Sequence, residues 1–143
     1  MSRYKFSLNA KIKSEIEWQL EHYPEDKRQI EQFKADLIPS PTASYSLTGG
    51  VSGSHTHRNT EDVATRIVSN QYIRYTEWWC DGIAKALSHF DENDLRLVDL
   101  VYWKRTHAIE GAGLKVGMSR ATAYDHVNSI LCAIALEVGK VSI

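Results

Sequence analysis

Arg120, Ala121, Tyr124, Asp125 and Asn128 fall on one side of a stretch with helical spacing, and Ala123, Val127, Ile130, Leu131 and Ile134 fall on the other. A guanidinium, a phenol, a carboxylate and an amide at the exposed start of a helix can hydrogen-bond base edges, and a small residue such as Ala121 can meet a thymine methyl. The element that must present them begins at Val116-Gly117-Met118-Ser119. Gly117 suits the left-handed backbone just past a helix end, having no Cβ to clash. Ser119 suits the N-cap of a following helix, because its hydroxyl accepts a hydrogen bond from a first-turn N–H. One helix is therefore predicted to end, the chain to turn, and a second helix to run from Ser119 to about Val138, with Gly139 as its stop. Such an arrangement fits a helix-turn-helix that lays its second helix in a major groove. It fits any αα-hairpin as well.

The turn resembles the helix-turn-helix of sigma-factor region four, in which Gly, a hydrophobic residue, Ser and Arg, followed by small residues, Tyr and His, open the recognition helix. The whole chain resembles the RinA/ArpU-type phage transcriptional activators. The match is carried by Ile16-Glu17-Trp18-Gln19-Leu20-Glu21-His22-Tyr23-Pro24-Glu25, by Val98-Asp99-Leu100-Val101-Tyr102-Trp103-Lys104, and by the turn itself. Gly111 and Gly113 depart from the family pattern, which favours better helix formers there. The resemblance implies a phage late-gene activator that binds double-stranded DNA and works with host RNA polymerase in the bacterial cytoplasm. Ser119 and Arg120 would then contact phosphate, or a base in the case of Arg120. Ala121, Tyr124, Asp125 and Asn128 would face the groove, and Lys104, Arg105, Thr106 and Lys115 would anchor phosphates.

The rest of the chain reads as all-α. Asn9–Tyr23 reads as a helix with Ile12, Ile16, Leu20 and Tyr23 on one stripe. Pro24 is expected to end it and to open a second helix carrying Ile30, Phe33 and Leu37, so that 1–38 forms an N-terminal helical hairpin. Glu15, Glu17, Glu21 and Glu25 are expected to be a solvated face. A flexible linker is predicted over 39–59, rich in Ser, Gly and Pro. Asn59 or Thr60 is expected to cap a long aromatic helix over 60–90, with Gly82 as a kink and with Tyr72, Tyr75, Trp78 and Trp79 packed in a core. The helix-turn-helix domain would span 91–143, with Asp91 capping its first helix and Thr106 its second. Ala108, Ile109, Ala112 and Leu114 are the buried candidates of that second helix, and its two glycines would allow close approach of the recognition helix.

Composition narrows the function classes. At 143 residues and 43% hydrophobic, the chain can build a core, and no apolar run reaches membrane-spanning length. There is no secretory h-region behind Met1, and Cys80 and Cys132 are isolated, as buried thiols of a reduced cytosol would be. The net charge is −1, and from Asn93 onward six Lys and Arg stand against five acids. Phosphate neutralisation supplies much of the affinity for DNA, so this balance calls for a homo-oligomer or a polymerase partner to make up the deficit.

No catalytic constellation is present: no nucleophile elbow, Walker loop, HExxH helix or CxxC pair occurs. Gly49-Gly50-Val51-Ser52-Gly53-Ser54 follows no predicted strand, and His55-Thr56-His57 lacks further ligands at zinc spacing, so both read as polar loop. His126 falls between base face and core face, suiting a phosphate contact or a surface role. No enzyme activity, cofactor or metal is expected. The rival readings are a packaging protein similar to a small terminase subunit, and a protein-binding module whose helix-turn-helix no longer binds DNA.

Overall fold

The computed structural model describes residues 7–37 and 52–141, with side chains described over 7–36 and 70–141. The described residues are all helical or in connecting turns: α1 (Ala10–Leu37), α2 (Ser52–Leu87), α3 (Glu92–Val98) continuing into a π-helical stretch (Asp99–Trp103), α4 (Ile109–Lys115) and α5 (Arg120–Glu137). None of these helices is long and apolar enough to cross a membrane. Contacts divide the chain into one unit of residues 1–25 and 78–143 and another of 26–77.

Helix α1 corrects the expected hairpin. It runs unbroken from Ala10 to Leu37 with Pro24 inside it. An interior proline lacks the N–H that would bond the carbonyl four residues back and costs about 3 kcal/mol. That carbonyl belongs to Leu20, and the indole Nε1 of Trp103 donates to it at 2.9 Å. A donor from a distant segment thus occupies the acceptor that proline leaves open, and full burial of Ile16 and Leu20 holds the helix in place.

Of the four acids expected on a solvated face of α1, Glu25 is exposed, but the other three are engaged by distant residues. Glu15 pairs with Lys140 at 2.8 Å, Glu17 accepts from the Tyr102 hydroxyl at 2.8 Å, and Glu21 lies 3.7 Å from Arg105. Burial pushes the Tyr102 phenol well above its usual value of 10, and its hydrogen bond to Glu17 pushes it further. Both α1-facing side chains come from the π-helical stretch, where the Lys104 N–H bonds the Asp99 carbonyl at 2.7 Å. The wider turn accommodates an extra residue, so the adjacent Tyr102 and Trp103 can both engage α1.

Helix α2 begins at Ser52, so residues 52–59 are helical rather than linker, and Asn59 and Thr60 lie inside the helix instead of capping it. Once nucleated, a helix gains a hydrogen bond for each residue added, which outweighs the few tenths of a kcal/mol that Ser, Thr or His costs. His55, Thr56 and His57 are helical in backbone; their side chains, the Gly49–Val51 segment and the rest of the expected linker lie outside the described residues. Helix α2 continues through Gly82. A Cβ there would stand 2.5 Å from Val138 Cγ1, so the glycine permits close packing against the end of α5. Trp79 is fully buried, whereas Tyr72, Tyr75 and Trp78 are 59%, 52% and 46% exposed in the single chain.

In the unit of residues 26–77, Ile30 and Thr76 are buried and Lys34 pairs with Glu77. The core of the other unit gathers Ile16, Leu20, Trp79, Ile83, Leu97, Val98, Ile130, Leu131, Ile134 and Val138. Cys80 and Cys132 are buried thiols. From Ser129 to Ala135, every residue of α5 is buried, so the helix serves as the central post of this unit.

Candidate nucleic-acid interface

The turn between α4 and α5 follows from its sequence. Gly117 takes φ +81°, the Met118 N–H reaches the Gly113 carbonyl at 2.8 Å, and the Gly117 N–H reaches that of Leu114 at 3.3 Å. These two bonds are the Schellman pattern, which satisfies the last carbonyls of α4. Ser119 then caps α5, its Oγ accepting from the Thr122 N–H at 3.2 Å.

Close packing beneath the turn sets the angle between the helices. A Cβ on Gly113 would lie 2.5 Å from the Ala123 Cβ, so a glycine must stand there. Gly111 has no such constraint, since its nearest neighbour would be His107 at 3.6 Å. Ile109, Ala112, Gly113 and Val116 face inward at helical spacing, whereas Leu114, expected to be buried, is 70% exposed, and Ala108 is exposed. The inward stripe passes through Gly113, placing Leu114 on the outer side.

With Ala123 and Val127 buried, the opening turns of α5 present Arg120, Ala121, Tyr124 and Asp125 to solvent, while Asn128 is half-buried. The Arg120 guanidinium lies 5.8 Å from the Tyr124 ring centroid, and its Nε is 3.9 Å from Glu110 Oε2. Tyr124 and Asn128 also line a hollow of about 250 Å³, together with Lys13 from α1 and Tyr102, Ile109, Val127 and Leu131. Of its lining, Tyr102, Val127 and Leu131 are buried and Lys13 and Tyr124 are exposed.

No family model, curated protein or solved structure matches this chain. The arrangement of its own residues carries the functional argument.

The expected phosphate anchors are scattered in behaviour. Lys104 pairs with Asp99 at 3.1 Å, and Arg105 takes a left-handed φ of 56° beside Glu21. Lys115 is exposed in the last turn of α4. Thr106 does not cap α4, whose N-cap is Ala108 with no side-chain bond. The reversal at Arg105 leads the Thr106 and His107 N–H groups to the Leu100 carbonyl at 3.0 and 3.3 Å, and α4 starts only after them. The Thr106 hydroxyl instead meets His107 Nδ1 at 2.8 Å.

His126 is 25% exposed and is held by a carboxylate of another helix. Its Nδ1 lies 2.5 Å from Asp94 Oδ1, tying α5 to α3. Asp94 belongs to the cap of α3, where Asp91 Oδ1 accepts from the Asp94 N–H at 3.0 Å. That backbone bond holds the Asp91 carboxyl below its usual range. The Asp91 cap follows from the sequence; the histidine partner of Asp94 on α5 does not. Among the described residues, no three His, Cys, Asp or Glu side chains gather to hold a metal.

Proposed function

We propose that this chain is a sequence-specific DNA-binding transcriptional regulator, with α4 and α5 as a helix-turn-helix and α5 as its recognition helix. The observation that carries the reading is the division of α5: buried all round over Ser129–Ala135, yet exposing Arg120, Ala121, Tyr124 and Asp125 at a capped N-terminus. A helix held by its far end and presenting mixed donors, acceptors and a methyl at its near end is what major-groove readout requires. The positive end of the helix dipole also favours nearby phosphate. The resemblance to the RinA/ArpU activators extends the proposal to a phage late-gene activator acting with host RNA polymerase, as a homo-oligomer or beside the polymerase.

The ion pairs around the turn favour a second reading, a protein-binding module, because Lys104, Arg105 and Arg120 each face a carboxylate. Magnitude decides between them. Exposed pairs of this kind contribute roughly 0–1 kcal/mol each, and phosphate binding releases counterions, so DNA can displace the carboxylates. Binding to random duplex DNA at several salt concentrations tests the proposal. Tight binding that weakens steeply with salt supports it, with a slope of about 0.9 per phosphate contacted. No retention at low salt would move the function to a protein partner.

A further inference from the structure

We propose that Lys13, on the first helix, is a phosphate-contacting residue of the DNA interface, set beside the recognition helix across the hollow between α1 and α5. The inference rests on the DNA-binding reading above and adds a residue from a distant part of the sequence to that interface.

The orientation of α1 is fixed. Ile16 and Leu20 are fully buried on its inner face, and the Leu20 carbonyl accepts from the Trp103 indole at 2.9 Å. Glu15 and Glu17 are held at 2.8 Å by Lys140 and the Tyr102 hydroxyl respectively. Turning α1 about its axis would break all of these at once. In the orientation they impose, Lys13 lies on the wall of the hollow with Tyr124 and Asn128. Lys13 is exposed, so its aliphatic stem can cover the apolar wall while the ammonium remains in water.

The position has a clear electrostatic use. Phosphates run along both flanks of a helix lying in the major groove, and contacts to them fix its register without reading sequence. Lys104 and Arg105 must first part from Asp99 and Glu21 to reach phosphate. Glu17, one helical turn beyond Lys13, is engaged by the Tyr102 hydroxyl. Lys13 therefore supplies positive charge beside Tyr124 and Asn128, from a helix outside the trihelical part of the chain.

The test compares duplex-DNA affinity against salt for the full chain, Lys13→Gln, Lys13→Arg, and Lys27→Gln as an exposed control elsewhere on α1. Unchanged thermal melting would establish that the variants are folded. Lys13→Gln is expected to weaken binding to all duplex sequences alike and to lower the logarithmic salt slope by about 0.9, the loss of one phosphate contact. Lys13→Arg should keep the parent slope, and so should Lys27→Gln. If the parent chain binds with a steep slope and Lys13→Gln shows the same slope, the Lys13 assignment is wrong and the DNA reading stands. If the parent chain shows no salt-dependent binding, both are overturned.

Discussion

Trp103 and Leu20 are joined by a hydrogen bond that Pro24 makes necessary: the indole N–H donates at 2.9 Å to a carbonyl whose intrahelical donor proline has removed. Replacing Trp103 with Phe keeps an aromatic ring but removes the donor along with part of the indole's packing, and the unsatisfied carbonyl alone costs about 1–3 kcal/mol. Pro24→Ala restores an N–H to α1 and should stabilise the protein by up to about 3 kcal/mol. With that N–H present, Trp103→Phe should cost less, by about 1 kcal/mol, in urea denaturation of the double variant. Equal costs in the two backgrounds would break the link between the indole and the proline.

The glycines of α4 should respond to alanine in opposite senses. Gly113→Ala drives a methyl to 2.5 Å from the Ala123 Cβ, forcing α4 and α5 apart. Overpacking of this kind costs about 1–3 kcal/mol. Gly111→Ala meets only His107 at 3.6 Å and gains helix propensity, so it should stabilise by up to about 1 kcal/mol. Thermal melts of the two single variants make the comparison, and a loss of stability in Gly111→Ala would contradict it.

Acid should act on the cap of α3. The Asp91 carboxyl titrates below its usual 3.8 in the folded protein, chiefly because the Asp94 N–H bonds the charged form. A depressed folded value means that the stabilisation is fully present above the unfolded value and is lost as pH falls through the lower, folded one. Asp91→Asn retains a capping oxygen without the charge. Its stability deficit should therefore be constant near neutrality and shrink as pH drops below about 4, where the unfolded carboxyl protonates. A deficit that does not change with pH would show that the charge at Asp91 contributes nothing.

Arg120 separates base reading from phosphate anchoring. Loss of a bidentate base contact in Arg120→Ala should cost about 1–3 kcal/mol of DNA affinity and relax specificity at one position. A uniform loss with a shallower salt slope would assign the side chain to phosphate. Unchanged affinity would contradict the docking of α5. The exposed Arg120 side chain makes only long contacts with Glu110 and the Tyr124 ring, so folding should be little altered.

The features legible in the sequence were those governed by local backbone chemistry. Gly117 and Ser119 act through hydrogen bonds spanning a few residues, as does the Asp91 cap, and the inward stripe of α5 follows helical period. What escaped was decided by residues far apart in the chain. Pro24 looks like a helix end until Trp103 is brought to Leu20. Glu17 and Glu21 look like solvent-facing acids until Tyr102 and Arg105 arrive. Gly82 and Gly113 look like weak points in helices, yet each accommodates a neighbouring side chain that sequence spacing does not reveal. The placement of Lys13 beside Tyr124 and Asn128 escaped for the same reason, since those neighbours belong to the last helix.

The unequal burial along α5 has a consequence for how this protein can diversify. Substitutions over Ser129–Ala135 are answerable to neighbours on every side, whereas Arg120, Ala121, Tyr124 and Asp125 have solvent to turn towards. Under the proposed DNA-binding reading, stability and recognition fall to different turns of one helix. A lineage can rewrite the outer turns, one residue at a time, while the inner turns keep the fold intact.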